Sequence, residues 1–378
     1  MICYPKAVDF QHSTFVGTWN DSPIPIYDVP SMHALNQLVG YIKLINSGRG
    51  TVLYRGQCKL YNTVSPSILH DISKTAGDDK RLFETIEAIM KDDKLLNFFG
   101  FRDIEIQGWT QYEKLIVEAA LQHYGASTYC VDFVDNHWTA LWFGLYKWCK
   151  TLNKYVLRDD VETSEDNKFI QFDKTYHKKE YPSEPKLEHV ALSDEKIREI
   201  SKHAEAGKIS FGELVKRNKE RMYKRVYETW EKEYQDVQRF NENFEKMEKA
   251  GHLYLFLYVA ETNVPCIHGL YLGEQTYTID LRRALPSTFL RPCSQHGWIV
   301  KGRDKKFDFD SNIACVLRVS VGLAKEMLGN GQLLSQDNFF PNEKIDQGYR
   351  VLLARQIDSR LKGKFKKIIG ANMIADFG

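Results

Sequence analysis

Three short blocks of the sequence combine polar, hydrogen-bonding side chains with a glycine, each at the end of an apolar stretch. They are residues 54–57 (Tyr-Arg-Gly-Gln), residues 122–128 (Gln-His-Tyr-Gly-Ala-Ser-Thr) and residues 291–298 (Arg-Pro-Cys-Ser-Gln-His-Gly-Trp). Glycine allows a ligand to approach the backbone closely, while arginine binds anions such as phosphate and histidine can transfer protons. The blocks are therefore candidates for one binding or catalytic site, if the fold brings them together.

The sequence lacks the local signatures of several common classes of enzyme. Neither G-x-x-x-x-G-K-[ST] nor G-x-G-x-x-G occurs, and H-E-x-x-H and G-x-S-x-G are also absent. These absences disfavour P-loop and Rossmann nucleotide sites, zinc proteases and α/β-hydrolases. The seven cysteines are scattered, with no pair separated by two residues, so neither a metal site nor a disulfide framework is expected.

The elements that must position the blocks follow from hydrophobic periodicity and turn signals. A strand is predicted from residue 51 and ends at Gly56, and a helix over 109–123 is stopped by Gly125. We further predict a helix over 81–99, a strand over 128–133, a buried helix over 138–150, and late strands over 253–260, 276–281, 297–301 and 313–321. Helices between strands of one sheet, with strands clustered late in the chain, indicate an α+β fold with a mixed sheet.

The predicted organisation has five parts. Residues 1–50 form an N-terminal segment, residues 51–150 and 251–321 form the core, residues 151–250 form a charged helical insertion, and residues 322–378 form a helical C-terminal segment with a basic stretch at 362–367. The insertion carries an apolar stripe at helical spacing, which is typical of a seam for a partner helix. The stripe consists of Leu214, Val215, Met222, Val226, Trp230, Tyr234, Val237, Phe240 and Phe244.

Composition limits the classes of protein that the chain can belong to. Its 378 residues carry 52 Lys and Arg against 50 Asp and Glu, a net charge of +2, which excludes a histone-like protein but permits a local basic face. The hydrophobic fraction of 43% excludes wholesale disorder. The longest apolar run has eight residues and no signal peptide is evident, so the sequence predicts a soluble cytoplasmic protein with no membrane partner.

Together and in this order, the three blocks resemble the FRG domain, which is named for a Phe/Tyr-Arg-Gly motif. That family has an aromatic-Arg-Gly-Gln strand, a Gln-His-Tyr-Gly-x-x-Thr…Asp block that leads into an Ala-x-x-Phe helix, and a late Gln-x-Gly-aromatic strand. The resemblance covers residues 51–148 and 251–301, with Tyr129 and Val134 standing where the family commonly has Arg and Thr.

A weaker similarity connects the same blocks to ADP-ribosyltransferases. Those enzymes place an Arg on their first core strand, a Ser-Thr-Ser segment eight residues ahead of an Ala-x-x-Phe helix, and a late Gln-x-Glu or Glu-x-Glu motif before another strand. Residues 132–134 and 295–297 fall at the second and third places, and Gly297 stands where the late Glu would be. The resemblance implies an ADP-ribosyltransferase-like fold with NAD as co-substrate and without a metal.

The resemblance also implies roles for individual residues. The implied catalytic residues are Arg55, His123, Asp132 and Gln295. The implied NAD-binding residues are Arg55, Gly56, Gln57, Gln122, Tyr124, Thr128 and His296. Asp132 is the first choice and Glu274 the second for a carboxylate that stabilises positive charge on the ribose. In the purely structural alternative, Arg55 pairs with Asp132 and His123 is a core histidine bonded to backbone.

The resemblance implies an FRG-domain effector, an ADP-ribosyltransferase that acts on an RNA, DNA or protein acceptor. The expected setting is a toxin or phage-defence component with a neutralising protein partner, for which the stripe is the candidate docking face. Two alternatives remain open at this point. One is a non-catalytic nucleic-acid-binding or interaction module, and the other is a metal-independent nuclease that uses His123 and His296 as acid and base.

Overall fold

A computed structural model of the protein describes residues 2–6, 12–20, 22–70, 72–101, 109–149, 154–158, 161–163, 180–207, 209–265, 269–329, 333–341 and 345–350. The chain divides into two compact units, Met1–Lys174 with Met247–Gly378, and Thr175–Lys246. The second unit is shorter than the predicted insertion at 151–250, because strands at Lys154–Leu157 and Glu162–Thr163 pair with strands of the first unit. Most of the predicted C-terminal helix and the basic stretch at 362–367 lie outside the described residues.

The described residues contain twelve β-strands and eleven α-helices. The strands are β1 (Thr14–Thr18), β2 (Pro25–Val29), β3 (Thr51–Gln57), β4 (Cys130–Val134), β5 (Tyr146–Cys149), β6 (Lys154–Leu157), β7 (Glu162–Thr163), β8 (Gly251–Ala260), β9 (Leu270–Leu272), β10 (Thr276–Asp280), β11 (Gly297–Gly302) and β12 (Ile313–Ser320). The helices are α1 (Met32–Ile45), α2 (Ile72–Met90), α3 (Asp93–Phe98), α4 (Trp109–His123), α5 (His137–Leu145), α6 (Asp194–Ala206), α7 (Phe211–Ala250), α8 (Leu281–Ala284), α9 (Leu290–Ser294), α10 (Val321–Met327) and α11 (Gln336–Phe339).

Ten of the strands form one mixed sheet in the first unit. Its order is β1-β2-β12-β8-β3-β4-β11-β10-β9, with β7 added beside β8, while β5 and β6 form a separate hairpin. Strands β2 and β12 run parallel, and the neighbours of β3, β4, β8 and β11 run antiparallel. The expectation of an α+β fold with a mixed sheet is confirmed.

Local sequence explains where the helices next to the second block begin and end. Helix α4 stops as predicted, because Gly125 adopts a φ of 95° that other residues rarely accept. The side chain of Asn136 accepts a hydrogen bond from the Trp138 backbone N–H and so caps α5. Helix α5 ends at Leu145, five residues before its predicted end, because residues 146–149 pair with residues 154–157 as a hairpin instead.

The sheet of the first unit packs a hydrophobic cluster on each face. Successive residues of β11 point to opposite faces, so Ile299 joins the cluster that contains α4, and Trp298 joins the cluster that contains Phe256. Both clusters consist of residues that are almost fully buried. Strands β4 and β11 are thus held in place by packing from both sides.

The second unit is helical in its described part and contains α6 and most of α7. Along α7, neighbouring aromatic rings of Tyr223, Tyr227, Trp230 and Tyr234 lie 5.1 to 5.8 Å apart. The Trp230 indole N–H donates to the carbonyl oxygen of Pro182 at 2.9 Å. Among the helices within the described ranges, none has the length and apolar character needed to cross a membrane.

Candidate functional site

The site lies where two central strands separate. Strand β3 pairs with β8 over seven residues and β4 pairs with β11 over five, but β3 and β4 pair only at Tyr54 and Val134. Next to that pair, Nη1 of Arg55 donates to the carbonyl oxygen of Asp132 at 2.8 Å. A guanidinium therefore satisfies a backbone acceptor that a regular sheet would pair with a neighbouring strand.

A cleft of about 460 Å³ opens at this point. Its lining combines three arginines, one carboxylate, one histidine, three glutamines and several aromatic rings. The lining residues are Tyr54, Arg55, Gly56, Gln122, His123, Gly125, Asp132, Phe133, Val134, Ala140, Phe143, Trp148, Tyr155, Arg158, Arg291, Gln295, Gln336, Phe340 and Tyr349. All three sequence blocks contribute to it, although they are far apart in the chain.

Six of the ten site residues predicted from sequence line this cleft. They are Arg55, Gly56, Gln122, His123, Asp132 and Gln295. The four that do not line it are Gln57, Tyr124, Thr128 and His296. All four residues with an implied catalytic role therefore line the cleft. Four of the seven implied NAD-binding residues do not.

The Asp132 carboxylate is held from the side of α4. Nε2 of Gln122 donates to its Oδ2, and Nδ1 of His123 lies 3.8 Å from its Oδ1. Burial opposes ionisation of Asp132, but the nearby imidazole of His123, the hydrogen bond from Gln122 and the charge of Arg55 outweigh it and lower the pKa. The side chain is 41% exposed where it meets the cleft, so an ionised carboxylate is presented to a ligand.

His123 is enclosed at the base of the cleft. Its side chain is only 6% exposed, and its Nε2 is buried with no hydrogen-bond partner among the described residues. The structural alternative of a core histidine bonded to backbone is thus not what the imidazole adopts. A buried ring nitrogen without a partner costs free energy, and a ligand group within reach would recover it.

Arg55 and Gly56 occupy the β3 side of the cleft. Nε of Arg55 is buried and has no acceptor in the described part of the chain, and burial lowers its pKa. Packing requires a glycine at position 56, since a Cβ there would lie 1.7 Å from the carbonyl oxygen of Ala140 in α5. The glycine of the Tyr-Arg-Gly-Gln block therefore allows α5 to sit directly on β3.

Gln295 is placed at the opposite wall, just before β11. The residue is only 5% exposed, and its Nε2 donates to the carbonyl oxygen of Phe339 at 2.9 Å. Because Nε2 is the atom that makes this bond, the orientation of the Gln295 amide is fixed, and its Oε1 points in a different direction. Gln295 is thus a rigid part of the lining.

Two of the residues outside the lining support it from behind. Tyr124 is fully buried, and its hydroxyl donates to the Asp346 carboxylate at 3.0 Å. Thr128 is also buried, and its hydroxyl donates to Oε1 of Gln122 at 2.6 Å, which orients the amide that holds Asp132. Neither side chain reaches the cleft surface.

His296 belongs to a different cluster. Its Nδ1 lies 3.1 Å from Oδ1 of Asp135, and Arg282 bridges Asp135 and Asp280 beside it. The residue has a φ of 54°, the left-handed region, at the turn into β11. This turn directs its side chain away from the cleft that Gln295 lines.

The sequence analysis did not predict a second group of aromatic and cationic lining residues, which we call the outer cleft: Trp148, Tyr155, Arg158, Arg291 and Phe340. Tyr155 stacks on Phe340 with ring centroids 4.4 Å apart, and Trp148 lies 5.3 Å from Tyr155. The side-chain oxygen of Gln336 accepts from the Tyr155 backbone N–H at 2.8 Å and ties the β5–β6 hairpin to α11. Two signals in the sequence could have indicated these residues. Tyr146 and Trp148 are aromatic at alternate positions, as in a strand, and Arg291 belongs to the third block.

Within the described ranges, no three His, Cys, Asp or Glu side chains are grouped so that they could hold a metal ion. Comparison with known proteins found no family model, no curated protein and no solved structure that matches the chain. Function is therefore inferred from the chemistry of the cleft.

Proposed function

We propose that the protein is an NAD-consuming ADP-ribosyltransferase with an FRG-like site, acting on a nucleic acid or a protein acceptor. The observation that carries the proposal is that Arg55, His123, Asp132 and Gln295 line one cleft although they come from three distant blocks. The order of these residues, on β3, α4, β4 and the turn before β11, supports an ADP-ribosyltransferase-like fold.

The cleft suits a dinucleotide in size and in chemistry. Its volume of about 460 Å³ lies within the range of about 300–1,000 Å³ that is typical of small-molecule sites. Three arginines against one carboxylate favour an anionic ligand, and the aromatic rings favour flat heterocycles. NAD combines a diphosphate with two aromatic bases, so one ligand accounts for both features.

The reaction requires the bond between the nicotinamide nitrogen and the ribose to break with its electron pair leaving on nicotinamide. Positive charge then develops on the ribose, and the ionised Asp132 carboxylate is the group suited to stabilise it. A nucleophile of the acceptor bonds to the same carbon and loses a proton, for which the unpartnered Nε2 of His123 is the candidate base. Arg55 would bind the diphosphate.

A toxin or phage-defence role with a neutralising partner is the setting that we propose for this activity. The candidate docking face is the part of the stripe on α7 formed by Met222, Val226 and Tyr234, which are 38%, 44% and 36% exposed. Val237 is buried, and the side chains of Phe240 and Phe244 lie outside the described part of the structure. Exposed apolar groups at helical spacing are suited to a partner helix.

The test is incubation of the purified protein with NAD labelled in the adenylate phosphate, with cell extract, RNA, DNA or protein as acceptor. We expect nicotinamide release and label transfer, both abolished in Arg55→Ala and retained in the exposed control Arg217→Ala of the second unit. Absence of nicotinamide release and of label transfer with every acceptor would overturn the proposal.

A non-catalytic nucleic-acid-binding module is the second candidate, and the outer cleft favours it. Arg291, Tyr155 and Phe340 combine cationic and aromatic surfaces, which bind single-stranded nucleic acids by stacking and charge. This candidate predicts salt-sensitive RNA or DNA binding that NAD does not alter. A nuclease with His123 and His296 as an acid–base pair gains no support, since His296 does not line the cleft.

A further inference from the structure

Arg291 is held in a frame of aromatic rings at the cleft wall. Its guanidinium carbon lies 4.4 Å from the ring centroid of Phe340, 5.5 Å from that of Tyr124 and 5.8 Å from that of Tyr349. The negative face of an aromatic ring attracts the guanidinium cation. The rings therefore restrict the Arg291 side chain, which would otherwise sample many rotamers. Its guanidinium is already oriented before a ligand binds.

The frame itself is fixed by a buried carboxylate, Asp346, which is 1% exposed. It accepts hydrogen bonds from the Tyr124 hydroxyl and from the backbone N–H groups of Leu290, Arg291 and Tyr349. These bonds join the start of α9 to two of the three rings. Asp346 thus holds the backbone and the rings, while the guanidinium of Arg291 forms no ion pair with a carboxylate in the described ranges.

The guanidinium has unused donor capacity. Nε of Arg291 is buried with no acceptor among the described residues, and the same is true of Nε of Arg55. Buried charged donors without acceptors are costly unless a ligand supplies the acceptor. Both arginines line the same cleft, whose one carboxylate, Asp132, already accepts from Gln122.

We infer that Arg291 and Arg55 together form a two-point binding site for a diphosphate group. The two guanidiniums come from separate elements, α9 and β3, and each has a planar fork that matches two phosphate oxygens. A single phosphate satisfies one fork, whereas a diphosphate carries enough oxygens for both. The inference extends the proposed function, since NAD contains a diphosphate, but inorganic pyrophosphate and ADP present the same chemistry without any transfer reaction.

The test is calorimetric titration of the full chain with inorganic pyrophosphate, orthophosphate, ADP-ribose and nicotinamide mononucleotide. We expect pyrophosphate and ADP-ribose to bind at least about tenfold more tightly than orthophosphate and the mononucleotide. Arg291→Gln should weaken pyrophosphate binding by about tenfold or more and leave orthophosphate binding almost unchanged. Arg291→Lys keeps the charge and loses the fork, so it should show an intermediate loss.

The matched control is Arg303→Gln, because Arg303 also lies against an aromatic ring, 4.9 Å from the Tyr277 centroid, but does not line the cleft. Melting temperatures show which variants are folded, and Arg291→Lys decides the result if Arg291→Gln is not. Equal binding of pyrophosphate and orthophosphate, or pyrophosphate binding that is the same in wild type and the folded Arg291 variants, overturns the inference.

The two proposals fail separately. Pyrophosphate binding that depends on Arg291, without any nicotinamide release from NAD, leaves the diphosphate site standing and removes the transferase function. If the protein releases nicotinamide from NAD but binds pyrophosphate independently of Arg291, the transferase function stands and the diphosphate site is overturned.

Discussion

His123 occupies the space that a side chain at position 297 would need. A Cβ on Gly297 would lie 2.7 Å from Cε1 of His123 and 3.3 Å from both ring nitrogens. Gly297 is the position at which the similarity to ADP-ribosyltransferases leads one to expect a glutamate. With the imidazole in this position, a glutamate side chain at residue 297 does not fit, so the absence of the glutamate and the position of His123 are linked.

Gly297→Ala should therefore destabilise the protein, because the added methyl group displaces a buried ring. We expect a loss of about 1–3 kcal/mol in the free energy of unfolding, measured by urea denaturation. Gly40→Ala in α1 is the control, since no atom lies within 4 Å of its added Cβ, and it should stabilise by about 0.5–1 kcal/mol. Equal stability of wild type and Gly297→Ala would show that His123 is not fixed where we describe it.

Gly56→Ala should be more damaging, because its Cβ would lie 1.7 Å from a backbone oxygen of α5 rather than from a side chain. Helix α5 would have to move off β3, and we expect a loss of about 3 kcal/mol or more in the free energy of unfolding. The measurement is the same urea denaturation with the same Gly40→Ala control. A loss below about 1 kcal/mol would contradict the close contact of β3 with α5.

His137 should make stability depend on pH in the acidic range. Burial, assisted by the charge of Lys43, lowers the pKa of His137 from 6.5 to about 4. Between these values the unfolded chain binds the proton and the folded protein does not, so stability is complete above pH 6.5 and falls as the pH approaches 4. The loss should be about 2 kcal/mol after allowance for partial exposure of the ring.

Urea denaturation of wild type and His137→Gln at several pH values between 7.5 and 4 checks this. The free energy of unfolding of His137→Gln should fall much less between these pH values than that of the wild type. His33→Gln, at an exposed position of α1, should show the same fall as the wild type. Parallel pH profiles for wild type and His137→Gln would refute the assignment.

Asp132→Asn should abolish most of the nicotinamide release while the protein stays folded. The variant keeps the shape and removes the negative charge, so we expect a fall in kcat of about 10²–10³. The pKa of Asp132 is lowered by its contacts with His123, Gln122 and Arg55, so the carboxylate stays ionised at neutral pH and the rate should not depend on its titration there. Asp135→Asn, which alters a carboxylate outside the cleft lining, should retain the activity, and an equal loss in both variants would contradict the role of Asp132.

The sequence predicted the central elements of the fold and missed some of the peripheral ones, for identifiable reasons. The strand at residue 51, helix α4 and the late strands were predictable because their side chains follow a clear period. Gly125 ends α4 as predicted, whereas β3 continues past Gly56, its predicted end, to Gln57. The β5–β6 hairpin was not, because residues 146–149 continue the apolar run of α5 and only their long-range partners make them a strand.

The site could be predicted only as far as its residues lie in compact motifs. Arg55, His123, Asp132 and Gln295 belong to three recognisable blocks, and the structure brings them to one cleft. Tyr155 and Phe340 carry no local signal, since their place in the lining depends on contacts between hairpin β5–β6 and the residues after α11. The turn at His296, with its positive φ, is likewise invisible in the sequence.

The most direct test of the central claim is calorimetric titration of the protein with NAD, in wild type and in Arg55→Lys. We predict saturable binding at one site per chain, weakened about tenfold or more in Arg55→Lys, because lysine keeps the charge and loses the fork. No saturable binding at millimolar NAD, or equal affinity in the two proteins, would contradict the assignment of this cleft as an NAD site.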